Sequence, residues 1–287
     1  MPELFINAVL LLLHVVPAGA AAGHALLCKR HPNSAFGWIG ICIVLPFVGP
    51  LLYFLFGINR VQTQAQRMAR RSPFRLDSGL DRGEAVDFSA QPGVASEWRT
   101  LAAVSSKLGR RPLLAGNRIR VLHNGYRAFP AMLAAIDRAS ARVVVASYIF
   151  DSDTTGRRFV DALANADRRG VEVCVLIDGL GEFYSLPRIR HLLAQRGVRV
   201  ERFLAPRLWP PSLHLNLRNH RKILVVDGSE AFIGGMNISD RHMSGRGGRR
   251  DAVADVHFGL NGPIASQIET VFAEDWRFAT GEVLTPS

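Results

Sequence analysis

The 287-residue chain carries 35 Lys and Arg against 24 Asp and Glu, a formal net charge of +11, and 48% of its residues are hydrophobic. That apolar content excludes an intrinsically disordered chain, and three cysteines, Cys28, Cys42 and Cys174, exclude a disulfide scaffold. Each cysteine lies in an apolar or strand-like run and reads as a small buried hydrophobe.

The chain opens on two uncharged stretches, residues 4–28 between Glu3 and Lys29 and residues 31–59 between Arg30 and Arg60. As helices at about 1.5 Å per residue, either reaches across roughly 30 Å of hydrocarbon. Residues 1–59 are therefore expected to form a transmembrane hairpin with spans at about 4–28 and 35–58, kinked by Pro17, Pro46 and Pro50. His14 and His24 read as helix-packing or interfacial residues. A cleavable signal peptide ending near Ala18-Gly19-Ala20 is the competing reading. It fits poorly, because acidic Glu3 stands where such a peptide carries Lys or Arg, and a second apolar run follows. Arg60, Arg67, Arg70 and Arg71 flank the second run, so the positive-inside rule puts the large C-terminal part in the cytoplasm. Arg60, Arg67 and Arg71 also share one helical face, suited to anionic headgroups.

Residues 60–116 read as a basic juxtamembrane segment and linker with one short helix near 95–108. From residue 117 to 287 the texture changes. Strands are expected at 119–122, 143–150, 171–177 and 198–204, alternating with helices at 129–141, 155–169 and 186–196, and a last amphipathic helix at 263–279. That alternation defines an α/β class, with helices on a mixed, largely parallel sheet.

The chemistry concentrates where positive charge does. Over residues 180–222, nine basic residues face only Glu182 and Glu201, a balance suited to a phosphate-bearing partner. The segment ends in Asn219-His220-Arg221-Lys222, followed by the strand Ile223–Val226 and the hairpin signal Asp227-Gly228. On extended chain, residues two apart project together, so His220 and Lys222 pair an imidazole with an ammonium, a device for holding and attacking phosphate. A return strand at 231–233 leads into Gly234-Gly235-Met236-Asn237, where glycines allow close backbone approach to an anion and Asn237 offers an amide donor. Singly, each residue is as well explained by surface charge or a hydrogen-bonded histidine; the combined pattern is not.

His220, Lys222 and Asp227 resemble the HKD motif of the phospholipase D superfamily, and the surrounding residues resemble bacterial cardiolipin synthases. The likeness extends to Pro50–Arg60, Tyr148-Ile149-Phe150, Gly156–Phe159 and Asp275–Gly281. The resemblance implies a catalytic set of His220, Lys222 and Asp227. His220 is then the nucleophile that forms a phosphohistidine, and Asp227 holds strand and loop geometry rather than substrate. Lys222, Asn237 and Arg218 are the expected phosphate-binding residues, with Asp255 or Asp251 orienting His220. His214 and His257 are further candidates for the headgroup pocket, whereas His123, His191 and His242 read as structural. No metal or other cofactor is expected.

The implied activity is membrane-bound phosphatidyl transfer between phosphatidylglycerols, giving cardiolipin and glycerol, in a bacterial inner membrane. The family carries two HKD motifs, nucleophile and leaving-group acid; these 287 residues hold one. A homodimer or a partner bearing a second half is therefore expected. Two alternatives are a single-motif endonuclease, disfavoured by the apolar N-terminus and sparse stacking aromatics, and an inactive truncated synthase.

Overall fold

The computed structural model describes residues 2–29, 31–58, 95–109, 111–206, 218–243 and 252–285. The basic stripe Arg60–Arg71, His214 and Asp251 lie outside them.

The N-terminal unit begins with α1 (Pro2–Cys28), continuous through Pro17 and long and apolar enough to cross a membrane. Leu4, Phe5, Leu11 and Leu12 point outward, as a lipid-facing helix requires. The second apolar run is not one span. It forms α2 (Pro32–Val44), then α3 (Val48–Leu52), which widens into a π-helical turn at Tyr53–Gly57. Pro46 cannot continue the helix, and Phe47 takes a positive φ of 60°, so the chain turns there. Thirteen residues of α2 rise only about 20 Å, short of a bilayer. Where one kinked helix over 35–58 was expected, the run is divided into two shorter apolar helices. Gly49 permits the turn, since a Cβ there would sit 2.3 Å from the Ile41 carbonyl oxygen. Ala21, Ala25, Cys42 and Tyr53 pack together, and His24 Nδ1 lies 2.7 Å from the Tyr53 hydroxyl, in keeping with a packing role for that histidine. Cys28 is exposed, unlike the buried Cys42 and Cys174.

Residues 96–109 form α4 (Ser96–Gly109), where the linker helix was expected. The larger unit that follows is built on seven strands: β1 (Arg118–His123), β2 (Arg142–Ser147), β3 (Glu172–Asp178), β4 (Arg199–Phe203), β5 (Ile223–Val226), β6 (Glu230–Gly234) and β7 (Val256–Asn261). They form one sheet in the order β1-β7-β6-β5-β2-β3-β4. Helices α5 (Asn124–Arg138), α6 (Thr154–Arg168), α7 (Ile189–Gln195) and α8 (Ile264–Thr280) complete the unit.

Alternation along each strand makes two cores. Val143, Val145, Val175, Ile177, Leu224 and Phe232 meet Phe129, Ile136, Phe159 and Leu193 of α5, α6 and α7. Val144, Ala146, Cys174, Leu176 and Val225 face the other way, onto Phe272 and Trp276 of α8. Burial pushes the Cys174 thiol up to about 11, as befits a residue acting as a small hydrophobe.

The sheet is mixed, as expected, but not largely parallel. Only β2–β3 and β3–β4 run parallel; the other four pairings are antiparallel. The reason is connection length. Helices α6 and α7 provide the crossovers that parallel neighbours need, whereas the short turn at Asp227–Ser229 can join only antiparallel strands.

This topology assembles a rim. The C-terminal ends of β2 and β3 lie beside the start of β5, through Ala146 opposite Ile223, while β6 ends and β7 begins there, with Gly234 opposite His257. Residues just outside those ends are where side chains escape the packed layers.

Candidate active site

His220 and Lys222 occupy the segment leading into β5 at this rim. Two carboxylates tie that segment down. Asp178, at the end of β3, accepts from the backbone N–H groups of Leu180 (2.9 Å), Gly181 (3.1 Å) and Asn219 (3.1 Å). Asp275 of α8 accepts from Asn219 Nδ2 at 2.8 Å and from the Arg221 guanidinium. The Asn219 side-chain oxygen closes the turn by accepting from Arg221 N–H at 3.1 Å. Held this way, His220 is exposed, and Lys222 Nζ donates to the His220 carbonyl at 2.9 Å.

Asn237 reaches the same rim on the loop after β6. Its Oδ1 accepts from the Ile149 N–H at 3.2 Å, which leaves the two Nδ2 protons as its donors. The loop is stitched to the segment after β2 by Ile238 N–H to the Ile149 carbonyl (3.2 Å) and Asp151 N–H to the Ile238 carbonyl (2.9 Å). A reciprocal pair of carboxylates anchors it further. Asp153 accepts from Asp240 N–H at 2.6 Å, and Asp240 accepts from Thr155 N–H at 2.8 Å. Burial works to raise the Asp240 carboxyl, but its bonds to Thr155 and Thr154 outweigh this and hold it below the usual aspartate range.

Gly234 and Gly235 serve a different purpose from the anion approach expected of them. A Cβ on Gly234 would lie 2.6 Å from His257 Nδ1 and from the Val256 carbonyl, and one on Gly235 would lie 2.4 Å from Asp255 Oδ1. The bare backbone makes room for the start of β7. Gly235 N–H is itself bonded to the Val256 carbonyl at 3.3 Å.

Asp255 lies beside His242. Its Oδ2 lies 4.0 Å from His242 Nδ1, and its Oδ1 accepts from Val256 N–H at 2.7 Å. His242 Nε2 accepts from the Asn237 N–H at 3.3 Å, so this histidine supports the Asn237 loop. Burial holds the His242 imidazole below its ordinary value; Asp255 opposes that shift and Lys222 reinforces it. His257 is only 1% exposed, which removes it from the expected headgroup pocket. Burial drives its ring down to about 4, against the pull of Asp255, so it is neutral at pH 7. Lys222 is likewise lowered by burial, and Asp255 opposes the shift.

Two of the expected residues lie in the scaffold. The Arg218 side chain is 3% exposed, 3.5 Å from Asp178, and donates to the Leu204 carbonyl at 3.1 Å; its guanidinium braces the loop instead of meeting phosphate. Asp227 sits at the opposite end of β5, about 16 Å of extended chain from Lys222. Its carboxylate accepts from the N–H groups of Ser140 (3.0 Å), Ala141 (2.8 Å) and Arg142 (2.9 Å) and from the Ser140 hydroxyl (2.9 Å). These four bonds clamp the β5–β6 turn to the start of β2.

Burial works to raise the Asp227 carboxyl, but those bonds hold it below its usual range. Its stabilisation is therefore complete above the unfolded value of about 3.9 and is lost as pH falls through the lower folded value. Asp227→Ala is expected to cost about 2 kcal/mol at pH 7 and to flatten the acid limb of stability, checked by thermal unfolding as a function of pH. An unchanged acid limb would contradict the clamp.

For one residue at the rim the sequence indicates no role beyond its place in the Tyr148-Ile149-Phe150 likeness. Tyr148, immediately past β2, stacks on His220 with ring centroids 4.2 Å apart and planes 18° from parallel. The Lys222 Nζ lies 5.6 Å from the centre of the same ring. In sequence it is merely the aromatic residue ending an apolar strand.

A mixed sheet between two helical layers, with a histidine, a lysine and an asparagine gathered at one rim, has the architecture of a phospholipase D-like half-domain. Residues 132–276 match the family described as "Cardiolipin synthase, PLD-like domain", and residues 9–57 match "Phospholipase_D-nuclease N-terminal". The chain belongs to the cardiolipin synthase family of phospholipase D-like proteins. It is 32% identical over 281 residues to cardiolipin synthase A of Pseudomonas putida, covering 97% of this chain and 58% of that protein. It is equally 32% identical over 266 residues to cardiolipin synthase A of Pseudomonas entomophila, covering 92% and 55%. The chain thus spans a little over half the length of these curated relatives. Similar solved structures include NucT from Helicobacter pylori (15% identity, TM-score 0.46, covering 57% of this chain and 98% of that one). The phospholipase D family member Nuc from Salmonella typhimurium is another (19%, TM-score 0.44, 57% and 97%).

Proposed function

We propose that this chain is one half of a membrane-bound phosphatidyltransferase of cardiolipin synthase type. The observation that carries the reading is the grouping of an exposed His220, a half-buried Lys222 and the Asn237 loop at one rim, in a chain so similar to cardiolipin synthase A. The His220 imidazole attacks the phosphorus of phosphatidylglycerol; the N–P bond forms as the P–O bond to the glycerol headgroup breaks. Lys222 and the Asn237 amide neutralise the non-bridging oxygens as charge builds on them. A hydroxyl of a second phosphatidylglycerol then attacks the phosphohistidine, restoring the imidazole and giving cardiolipin.

The departing glycerol alkoxide needs a proton at the moment His220 is occupied by phosphorus. That acid is a second histidine, carried by a second copy or by a partner with its own HKD half; having given up its proton, it takes the proton of the attacking hydroxyl in the second step. Helix α1 anchors the protein in the bacterial inner membrane, the two shorter apolar helices add to that embedding, and the catalytic part faces the cytoplasm, where the arginines after residue 59 favour it.

In native membranes supplied with labelled phosphatidylglycerol, one glycerol is expected per cardiolipin formed. Lys222→Met is expected to lower the rate about 10²–10³-fold. Phosphatidic acid as the sole labelled product, or an undiminished rate in the Lys222 variant, would overturn the proposal.

A further inference from the structure

Among the described residues, Tyr148 makes a ring contact with His220 and also couples the three groups that the proposed reaction needs. Its face lies flat on His220, and the Lys222 ammonium stands over the same ring. The next residue, Ile149, donates its N–H to Asn237 Oδ1. Its own backbone is boxed in, because Gly181 packs so closely that a Cβ there would fall 1.6 Å from the Tyr148 carbonyl oxygen. The Tyr184 ring lies near that of Tyr148, tilted by 60° with centroids 6.2 Å apart. Burial, reinforced by Tyr184, keeps the Tyr148 hydroxyl protonated well above neutral pH.

We propose that Tyr148 is a positioning residue for the nucleophile: its ring fixes the plane of the His220 imidazole and favours the positive charge that the imidazole acquires as it bonds to phosphorus. The inference rests on His220 being the nucleophile. A neutral imidazole gains little from an aromatic face, whereas the N-phosphorylated ring is cationic and gains more from the electron-rich π surface. The stack is thus stronger in the transition state than before it, which is the condition for raising kcat rather than lowering KM. Stacking also removes rotation about the His220 side-chain bonds, so the reactive nitrogen stays aimed. The phenol oxygen has no part in this, so the role belongs to the ring.

The test compares Tyr148→Leu with Tyr148→Phe in the full chain. Tyr148→Leu is expected to lower kcat about 10-fold or more with KM for phosphatidylglycerol changed less than about threefold; Tyr148→Phe restores most of the loss. A second measurement needs no turnover. In detergent-solubilised protein with isotopically labelled histidine, the His220 ring protons carry an upfield ring-current shift that Tyr148→Leu removes and Tyr148→Phe keeps. Loss of kcat in the Phe variant as deep as in Leu, an unaltered kcat in Leu, or a His220 spectrum indifferent to Tyr148 would each overturn the proposal. Full turnover in His220→Ala would instead overturn the nucleophile on which it rests, and the spectrum would still report whether the stack exists.

Discussion

Replacing His220 by alanine is expected to lower phosphatidyl transfer by at least about 10³-fold while leaving the fold intact, because no other group at the rim takes its place as nucleophile. Its side chain is exposed and, among the described residues, stacks on the face of Tyr148. The hydrogen bond from Lys222 goes to its backbone carbonyl, which alanine retains. Asn219 and Arg221 stay anchored on Asp178 and Asp275. Stability should therefore change by no more than about 0.5 kcal/mol. Conversion of labelled phosphatidylglycerol measures the first effect, and thermal unfolding in detergent the second. Of the other described imidazoles next to this rim, His257 is buried, and His242 is tied to Asn237 and faces Asp255.

Gly234→Ala should do the opposite, damaging the fold and the site together. The added carbon would meet the Val256 carbonyl at 2.6 Å and the His257 Cα at 2.7 Å, and these are backbone atoms of a paired strand that cannot swing aside. Separating β6 from β7 is expected to cost about 3 kcal/mol, or roughly 6–10 °C in Tm for a domain of this size. It would also displace Asp255 and the Asn237 loop, so activity falls in the fraction that remains folded. Gly259→Ala is the control. It lies on the same strand pair, yet a Cβ there finds its nearest neighbours at an ordinary 3.5 Å, and stability should hold within about 1 kcal/mol. Equal unfolding temperatures for the two variants would refute the close approach.

Much of this was legible in the sequence because the signals were periodic or local. The continuous apolar runs of β2 and β3 and the amphipathic stripes of α5, α6 and α8 announced two-sided burial, and both cores are built from them. The HKD pattern singled out His220 and Lys222, which lie in the turn segment just before β5 rather than on the strand itself. What failed was non-local. Strand β7 passed unnoticed, since Val256, Phe258 and Leu260 alternate with a histidine and a glycine over only six residues. Missing it hid the reason for Gly234-Gly235 and the approach of Asp255 to His242. The largely parallel sheet was an extrapolation from the helical crossovers of the first half to a second half whose strands pair antiparallel, beginning with the tight β5–β6 hairpin. Arg218 was counted with a basic cluster, but its charge is committed to Asp178, a partner 40 residues earlier that no spacing rule connects to it. Tyr148 gave no sign of its stack because the ring it touches arrives from a segment 72 residues further on.

The central claim is a covalent bond between His220 and phosphorus. Rapid quenching of native membranes during turnover of labelled phosphatidylglycerol, followed by mass analysis of the peptide that holds residues 219–221, tests it directly. A phosphatidyl group on His220 that chases into cardiolipin when unlabelled phosphatidylglycerol is added is the predicted result. Cardiolipin formation with His220 unmodified throughout, or with the adduct on another residue, would contradict it.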